Sequence, residues 1–228
     1  MEYGGEENND NEQCEILLSE EKKWDFEYKI IIIGNAFVGK SGLITRVKTR
    51  KFEAHTVPTL TCDYITLFLK YKKKTLKLDI YDTCGQEKYR SLLKSYYTAS
   101  SLVIIVYAID DSNSFNSIEG WVREVKSYCN PEIKVFLIGN KADLDDKWVL
   151  IILYKYFIYR REITKEQGEE LKEKNRFDFF METSAKNGLN TDELFCEIGR
   201  TLFDESLKNN NIDKVRKYKY KLFCNDKI

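Results

Sequence analysis

Apolar residues along the chain fall into short continuous runs, and these runs are separated by segments with helical spacing of apolar positions. The runs cover 28–33, 75–81, 102–109, 134–138 and 177–182. Continuous runs of this length are typical of strands buried on both faces of a parallel sheet. A more alternating run at 63–71 is typical of an edge strand.

Helical spacing fits the segments between these runs, at 40–51, 88–97, 114–129, 164–175 and 191–209. Alternation of strands and helices predicts an α/β fold, with one open, six-stranded, mostly parallel sheet and helices on both faces. Ligands bind at the carboxyl ends of the strands in such sheets, so that edge is where functional side chains are expected.

Charge and composition narrow the function classes. The 228 residues include 37 basic and 37 acidic side chains, so the chain lacks the basic excess of a nucleic-acid-binding protein. No apolar run reaches 18 residues, which excludes a spanning helix. The start of the chain lacks the pattern of a secretory signal. The six cysteines include no C-x-x-C pair, which favours a reduced, cytoplasmic protein without a zinc site.

The two ends of the chain differ in charge. Residues 1–27 carry ten acidic and two basic side chains, whereas residues 212–228 carry six basic and two acidic ones. Both ends lack periodic structure. We therefore expect a mobile acidic extension at 1–26, a folded domain at 27–209 and a basic tail at 210–228.

A phosphate-binding motif follows the first run. The sequence G-x-x-x-x-G-K-S lies between a predicted strand and a predicted helix, as this motif requires. Backbone N–H groups of the loop and the helix N-terminus favour phosphate oxygens. A plain glycine turn is the alternative. The predicted phosphate-binding residues are Gly34, Asn35, Ala36, Phe37, Val38, Gly39, Lys40, Ser41 and Gly42.

A second group of candidates surrounds the expected γ-phosphate and metal. Asp82 ends a buried run, where a carboxylate can hold Mg²⁺ through water, although a helix cap is the alternative. Gly85 has an N–H for the γ-phosphate, and Gln86 can orient an attacking water. Thr59 lies in a loop from which its hydroxyl could reach the metal and γ-phosphate, but loop threonines are common.

A third motif, N-K-x-D, ends the run at 134–138 and predicts guanine recognition. The carboxylate of Asp143 can accept hydrogen bonds from guanine N1–H and the exocyclic amine, whereas adenine offers no such pair. This disfavours an ATP-using enzyme. The predicted guanine-binding residues are Asn140, Lys141 and Asp143, with Ser184, Ala185 and Lys186 completing the pocket and Phe52 stacking on the purine.

Together these motifs resemble the Ras superfamily of small GTPases, most closely the Rab branch, from about residue 26 to 207. The stretch LKLDIYDTCGQEKYRSLLKSYYTAS and the residues LTCDY are similar to Rab switch signatures. The resemblance implies a GTP/GDP switch that hydrolyses GTP slowly, with Mg²⁺ held by Ser41, Thr59 and, through water, Asp82. It implies that Gln86 positions the catalytic water.

The resemblance also implies partners and a place of action. We expect a monomer that binds effectors, an exchange factor and a GTPase-activating protein in vesicle traffic, on the cytosolic face of an endomembrane. The implied effector-facing residues are Tyr64, Tyr81, Tyr96 and Tyr97, for which core packing is an equal alternative.

Some positions depart from the family pattern. Phe37 and Ala36 stand in the phosphate loop, Thr61 and Cys84 in the switches, and Tyr81 replaces a usual tryptophan. None of these changes removes a group that the chemistry needs. Phe37 beside the nucleotide nevertheless motivates an alternative, a GTP-binding scaffold with impaired hydrolysis or exchange.

Two segments do not fit the resemblance. Residues 148–160 form an apolar and aromatic insertion, read either as a docking segment for a membrane or partner or, preferably, as a gene-model artefact. In the tail, Cys224 is a candidate for lipidation that, with the basic residues, would attach the chain to a membrane. Because four residues follow Cys224, the C-a-a-X pattern is out of register, and a solvated tail is the alternative.

Overall fold

Strands and helices alternate along the chain, as the apolar runs predict. The computed structural model describes residues 13–53, 63–83, 94–144, 149–151, 156–158 and 161–208. The strands are β1 (Cys14–Leu17), β2 (Phe26–Ile33), β3 (Asp63–Tyr71), β4 (Lys74–Asp82), β5 (Leu102–Ala108), β6 (Lys134–Asn140), β7 (Val149–Ile151), β8 (Tyr156–Ile158) and β9 (Phe179–Glu182). The helices are α1 (Lys40–Thr49), α2 (Lys94–Thr98), α3 (Ser112–Asn116), α4 (Ile118–Tyr128), α5 (Lys165–Asn175) and α6 (Thr191–Lys208), and a short 3₁₀ turn covers Ala142–Leu144.

Seven strands form the main sheet, in the order β1-β3-β4-β2-β5-β6-β9. Strands β4, β2, β5, β6 and β9 are mutually parallel, whereas β3 pairs antiparallel with β4 and β1 antiparallel with β3. The carboxyl ends of the five parallel strands therefore meet at one edge. This arrangement confirms the predicted α/β class with a mostly parallel sheet.

The sheet has one strand more than the six predicted. Cys14 of β1 pairs with Tyr71 of β3, so β3 is not the edge strand that its alternating pattern indicated. The extra strand comes from 1–26, which we predicted to be a mobile extension outside the domain. Ile16 of β1 is buried in the core, and this burial explains why a short segment in an acidic surrounding joins the sheet.

Helices cover both faces of the sheet. Alternate residues of β2 point to opposite sides, so Ile30 and Ile32 pack in one core cluster and Ile31 and Ile33 in the other. Helices α1 and α6 contribute buried side chains to the first cluster, and α4 contributes to the second. Burial on both faces is the reason that the strands read as continuous apolar runs.

The helix predicted at 114–129 is two helices in the structure. Ser117 lies between α3 and α4, and its hydroxyl donates to the Asn113 carbonyl at 2.7 Å. Serine hydroxyls that bond back to the preceding turn bend helices, which accounts for the break. Asp111 caps α3 by accepting from the N–H groups of Asn113 and Ser114.

The insertion at 148–160 contains an antiparallel hairpin separate from the main sheet. Val149 pairs with Ile158 and Ile151 with Tyr156. On either side of it, the chain is anchored to the domain. Ala142 donates its N–H to the Thr183 carbonyl at 3.0 Å before the hairpin, and Glu162 donates its N–H to the Ile109 carbonyl at 2.7 Å after it.

None of the helices that the structure describes combines the length and apolar content needed to cross a bilayer.

Candidate nucleotide site

Two glycines give the loop after β2 its shape. Gly34 and Gly39 have φ angles of +138° and +94°, which residues other than glycine rarely adopt. A Cβ atom at Gly34 would lie 2.1 Å from the Val106 carbonyl oxygen, and one at Gly39 would lie 2.3 Å from Asn140 Nδ2. The loop is therefore pressed against β5 and the end of β6, and only glycine fits at these two positions.

Lys40 opens α1 and turns its ammonium group back beneath the loop. Its Nζ donates to the carbonyl oxygens of Gly34 and Asn35, both at 2.8 Å, and the residue is only 6% exposed. These carbonyl contacts solvate the buried charge. The N-terminus of α1 and this cation together make the loop a favourable place for an anion.

Ser41 and Asp82 come together although they are 41 positions apart in the sequence. The Ser41 hydroxyl donates to the carboxylate of Asp82, which is 2% exposed at the end of β4. The next residue, Thr83, fixes this strand end, because its hydroxyl donates to the Ile32 carbonyl at 2.7 Å. Hydroxyl and carboxylate oxygens are hard donors, so the pair fits Mg²⁺ chemically. Thr59, Gly85 and Gln86 lie outside the described residues.

Asn140 joins the phosphate loop to the loop after β9. Its Nδ2 donates to the Val38 carbonyl at 2.8 Å, and its Oδ1 accepts from the Ala185 N–H and the Thr183 hydroxyl, both at 3.3 Å. Asn140 is 1% exposed, so its amide serves as a fixed bracket between the two loops.

The carboxylate of Asp143 is oriented by the same loop. The Ser184 hydroxyl donates to Asp143 Oδ1 at 2.7 Å, and the exposed Lys186 places its Nζ 3.7 Å from Oδ2. Lys141 has a left-handed backbone (φ +68°), and its ammonium pairs with Asp110 at 3.0 Å. The structure thus brings the N-K-x-D residues together with Ser184, Ala185 and Lys186.

Comparison with known proteins agrees with this geometry. The sequence profile described as the Ras family matches residues 29–204. The chain belongs to the Ras family. It is 31% identical over 189 residues to "Ras-related protein SEC4" of Candida albicans, covering 83% of each chain. It is 32% identical over 192 residues to human "Ras-related protein Rab-30", covering 84% of this chain and 88% of that protein.

A third relative is "Ras-related protein Rab-4" of Dictyostelium discoideum, which is 36% identical over 174 residues, or 76% of this chain and 78% of that protein. The chain is therefore a Rab-like small GTPase, an enzyme that hydrolyses GTP. Members of this family bind guanine nucleotide and Mg²⁺.

Phe37 gives the phosphate loop of this Ras-family chain an unusual surface. Its backbone is left-handed (φ +64°), and its side chain is 59% exposed. Non-glycine residues rarely adopt this conformation. Its neighbour Val38 is fully buried, and Gly42 packs closely enough that a Cβ there would lie 3.4 Å from Ala185 Cβ.

Phe52, predicted to stack on the purine, follows the end of α1 and is 41% exposed.

Three of the four tyrosines predicted to face effectors form one aromatic row on this Ras-family domain. The ring centroids of Tyr64 and Tyr81 lie 5.2 Å apart, and those of Tyr81 and Tyr96 lie 5.1 Å apart. Lys29 lies over the row, with Nζ 4.6 Å from the Tyr81 ring centroid. Tyr64 is 51% exposed, so the row is open to solvent at this end.

Tyr97 does not belong to this surface. It is 1% exposed and packs in the core, where its hydroxyl donates to Glu124 at 3.2 Å. The prediction that Tyr97 faces a partner is therefore wrong, because α2 places this side chain in the core, where it contacts Glu124 of α4.

Some residues that build the site carry no local sequence signal of that role. Ser117 and Trp121 contact the side chain of Asn35 in the phosphate loop. Arg161 forms a buried ion pair with Glu182, which immediately precedes the loop at 183–186. The apolar spacing of α4 predicts that Trp121 is buried, but no local pattern predicts these polar contacts.

Proposed function

We propose that this chain is a GTP/GDP-cycling switch of the Rab type that acts in vesicle traffic on the cytosolic face of an endomembrane. The observation that carries the proposal is the bracket formed by Asn140, which ties the phosphate loop to the loop that orients Asp143. One edge of the sheet thus combines a cation beneath a glycine loop with a carboxylate suited to guanine.

In this proposal the loop at 34–42 holds the nucleotide phosphates. Its backbone N–H groups and the ammonium of Lys40 would neutralise phosphate charge. Mg²⁺ would be held by Ser41 and Thr59 and, through water, by Asp82, and it supplies charge neutralisation at the β- and γ-phosphates. Contact between Ser41 and Asp82 supports this assignment.

Guanine selection is assigned to Asp143. A carboxylate accepts two hydrogen bonds from guanine, and adenine would leave it without those donors. The Ser184 hydroxyl that donates to Oδ1 would keep the carboxylate in one orientation. Lys141, Ala185, Lys186 and Phe52 would complete the pocket.

Hydrolysis is assigned to a water oriented by Gln86, with the Gly85 N–H directed at the γ-phosphate. We expect slow intrinsic turnover, on the order of 10⁻⁴ to 10⁻³ s⁻¹, and acceleration by about 10⁵ with an activating protein. Loops that respond to the γ-phosphate would then change shape when it is lost.

Effectors would read the row of Tyr64, Tyr81 and Tyr96. Aromatic side chains with polar tips are frequent anchors at protein interfaces. The exposed Tyr64 supports this assignment. The tail at 210–228, with Cys224 as the candidate lipidation site, would attach the switch to a membrane surface.

A single-turnover assay tests the proposed function. The full chain is loaded with GTP and Mg²⁺, and conversion to GDP is followed with and without competing ATP. We expect slow conversion that ATP does not block and that Gln86→Leu abolishes or strongly slows. Gln13→Leu is the matched control, since Gln13 is exposed before β1.

Tight GTP binding without conversion to GDP would instead favour the GTP-binding scaffold. Tight binding of ATP would refute the role of Asp143. The same assay on a chain lacking 148–160 tests whether the insertion is part of the working protein. We expect the shortened chain to hydrolyse GTP, because the residues on either side of the hairpin are anchored independently.

A further inference from the structure

The side chain of Asn35 in the phosphate loop is held by the segment where α3 meets α4. The indole Nε1 of Trp121 donates to Asn35 Oδ1 at 3.0 Å. Asn35 Nδ2 in turn donates to the Ser117 hydroxyl at 3.0 Å. Both ends of the amide are therefore engaged, and both partners belong to elements outside the loop.

The partners of Asn35 are themselves fixed. Trp121 is 0% exposed and is among the largest side chains of its core cluster. The Ser117 hydroxyl, which accepts from Asn35, donates to the Asn113 carbonyl at 2.7 Å. Hydrogen bonds in such a chain polarise and strengthen one another. The amide of Asn35 thus has little freedom to rotate.

The backbone of the same residue contacts the site. The Asn35 carbonyl accepts from Lys40 Nζ at 2.8 Å. Asn35 therefore connects the buried indole of α4 to the ammonium group beneath the phosphate loop. A shift of its side chain would move a peptide unit that also positions Lys40.

We propose that Asn35 is a positioning residue, held by Trp121 and Ser117, and that this contact slows release of the bound nucleotide. The inference rests on the proposed nucleotide binding at this loop. A loop held in its binding shape before the ligand arrives loses less free energy on binding than one that must be ordered. Freeing Asn35 would thus speed release without removing any group that touches the phosphates.

The test measures release of GDP carrying a fluorescent ribose label from the full chain, with excess unlabelled GDP added to block rebinding. Trp121→Phe removes the indole N–H and keeps an aromatic ring in the core. Loss of this one partly buried hydrogen bond predicts release about fivefold to tenfold faster. Ser117→Ala removes the other partner and predicts release roughly twofold to fivefold faster.

A double variant separates positioning from general loosening of the core. If Trp121 acts through Asn35, then Asn35→Ala combined with Trp121→Phe should release GDP about as fast as Asn35→Ala alone. Tyr28→Phe is the matched control, since it removes the 2.9 Å hydrogen bond between Tyr28 and Ser206, another partly buried contact. We expect it to lower the melting temperature and to leave GDP release within about twofold of wild type.

Unchanged release in both Trp121→Phe and Ser117→Ala overturns the inference, as does a double variant whose rate is the product of the single effects. If Trp121→Phe does not fold, Ser117→Ala decides alone, because it leaves the apolar core intact. A wild-type chain that retains no GDP refutes the proposed function itself. If the wild-type chain retains GDP and the variants release it at the wild-type rate, only the positioning role is refuted.

Discussion

Replacement of Arg161 by methionine should destabilise the domain far more than loss of an ordinary surface charge. Arg161 Nη1 and Nη2 donate to Glu182 Oε1 and Oε2 at 2.7 and 2.9 Å, and Nη1 also donates to the Ile163 carbonyl at 2.8 Å. The two side chains are 6% and 12% exposed. Methionine keeps the aliphatic length but leaves the Glu182 carboxylate buried without its partner.

Removal of one member of a buried ion pair costs about 3–5 kcal/mol. The matched control is Lys165→Met, because Lys165 pairs with Glu169 at 3.8 Å and both side chains are more than half exposed. Such exposed pairs contribute about 0–1 kcal/mol. We therefore expect Arg161→Met to lower the free energy of unfolding at least threefold more than Lys165→Met.

Urea unfolding followed by circular dichroism, at one fixed GDP concentration, measures both variants. A double variant, Arg161→Met with Glu182→Gln, should recover at least about 1.5 kcal/mol of the loss, since a neutral amide is cheaper to bury than an unpaired carboxylate. Equal effects of Arg161→Met and Lys165→Met would refute the reasoning. So would a double variant that is less stable than Arg161→Met alone.

Three further predictions concern the core, the phosphate loop and the extra strand. Burial raises the pKa of Tyr28 from 10.0 to about 12. The folded state therefore keeps the phenolic proton to a higher pH than the unfolded state, and the free energy of unfolding falls as pH rises from about 10 to about 12. Tyr28→Phe should make this fall shallower, as measured by urea unfolding at pH 9–12. Phe37→Gly should raise the melting temperature of the GDP-bound chain. Phe37 has a left-handed backbone (φ +64°), and relief of that strain contributes up to about 1 kcal/mol. A lower melting temperature would contradict this prediction. Ile16→Ala should lower the free energy of unfolding in urea by about 2 kcal/mol, since Ile16 is buried where β1 packs against the core. An unchanged urea midpoint would mean that β1 adds nothing to stability.

Much of the fold followed from local patterns. Continuous apolar runs predicted five strands to within a few residues, because a strand buried on both faces needs apolar side chains at every position. The edge of the sheet differs from the one predicted. β3 alternates as an edge strand does, but β1 covers it, and a four-residue strand in an acidic stretch gives too short a pattern to be seen.

The motifs of the candidate site could also be predicted from the sequence, because the backbone geometry of each motif depends on a few adjacent residues. Positions 34 and 39 require glycine because their φ angles are positive and neighbouring atoms approach closely. The spacing of these glycines in the phosphate-binding motif is visible in the sequence. Tyr97 shows the limit of such reasoning. Its neighbour Tyr96 lies in the aromatic row, while Tyr97 is buried, and only the packing of α2 against α4 decides between them.

Local sequence patterns predict the fold class, a loop suited to phosphate and a carboxylate suited to guanine. Which side chains hold these segments together depends on how the whole domain packs. Asn35 and Trp121 are 86 positions apart and Asn140 and Val38 are 102 apart, and their hydrogen bonds depend on strand order and helix packing. Local propensity sets the backbone of each piece, whereas contacts between distant pieces arise only when the whole core is packed.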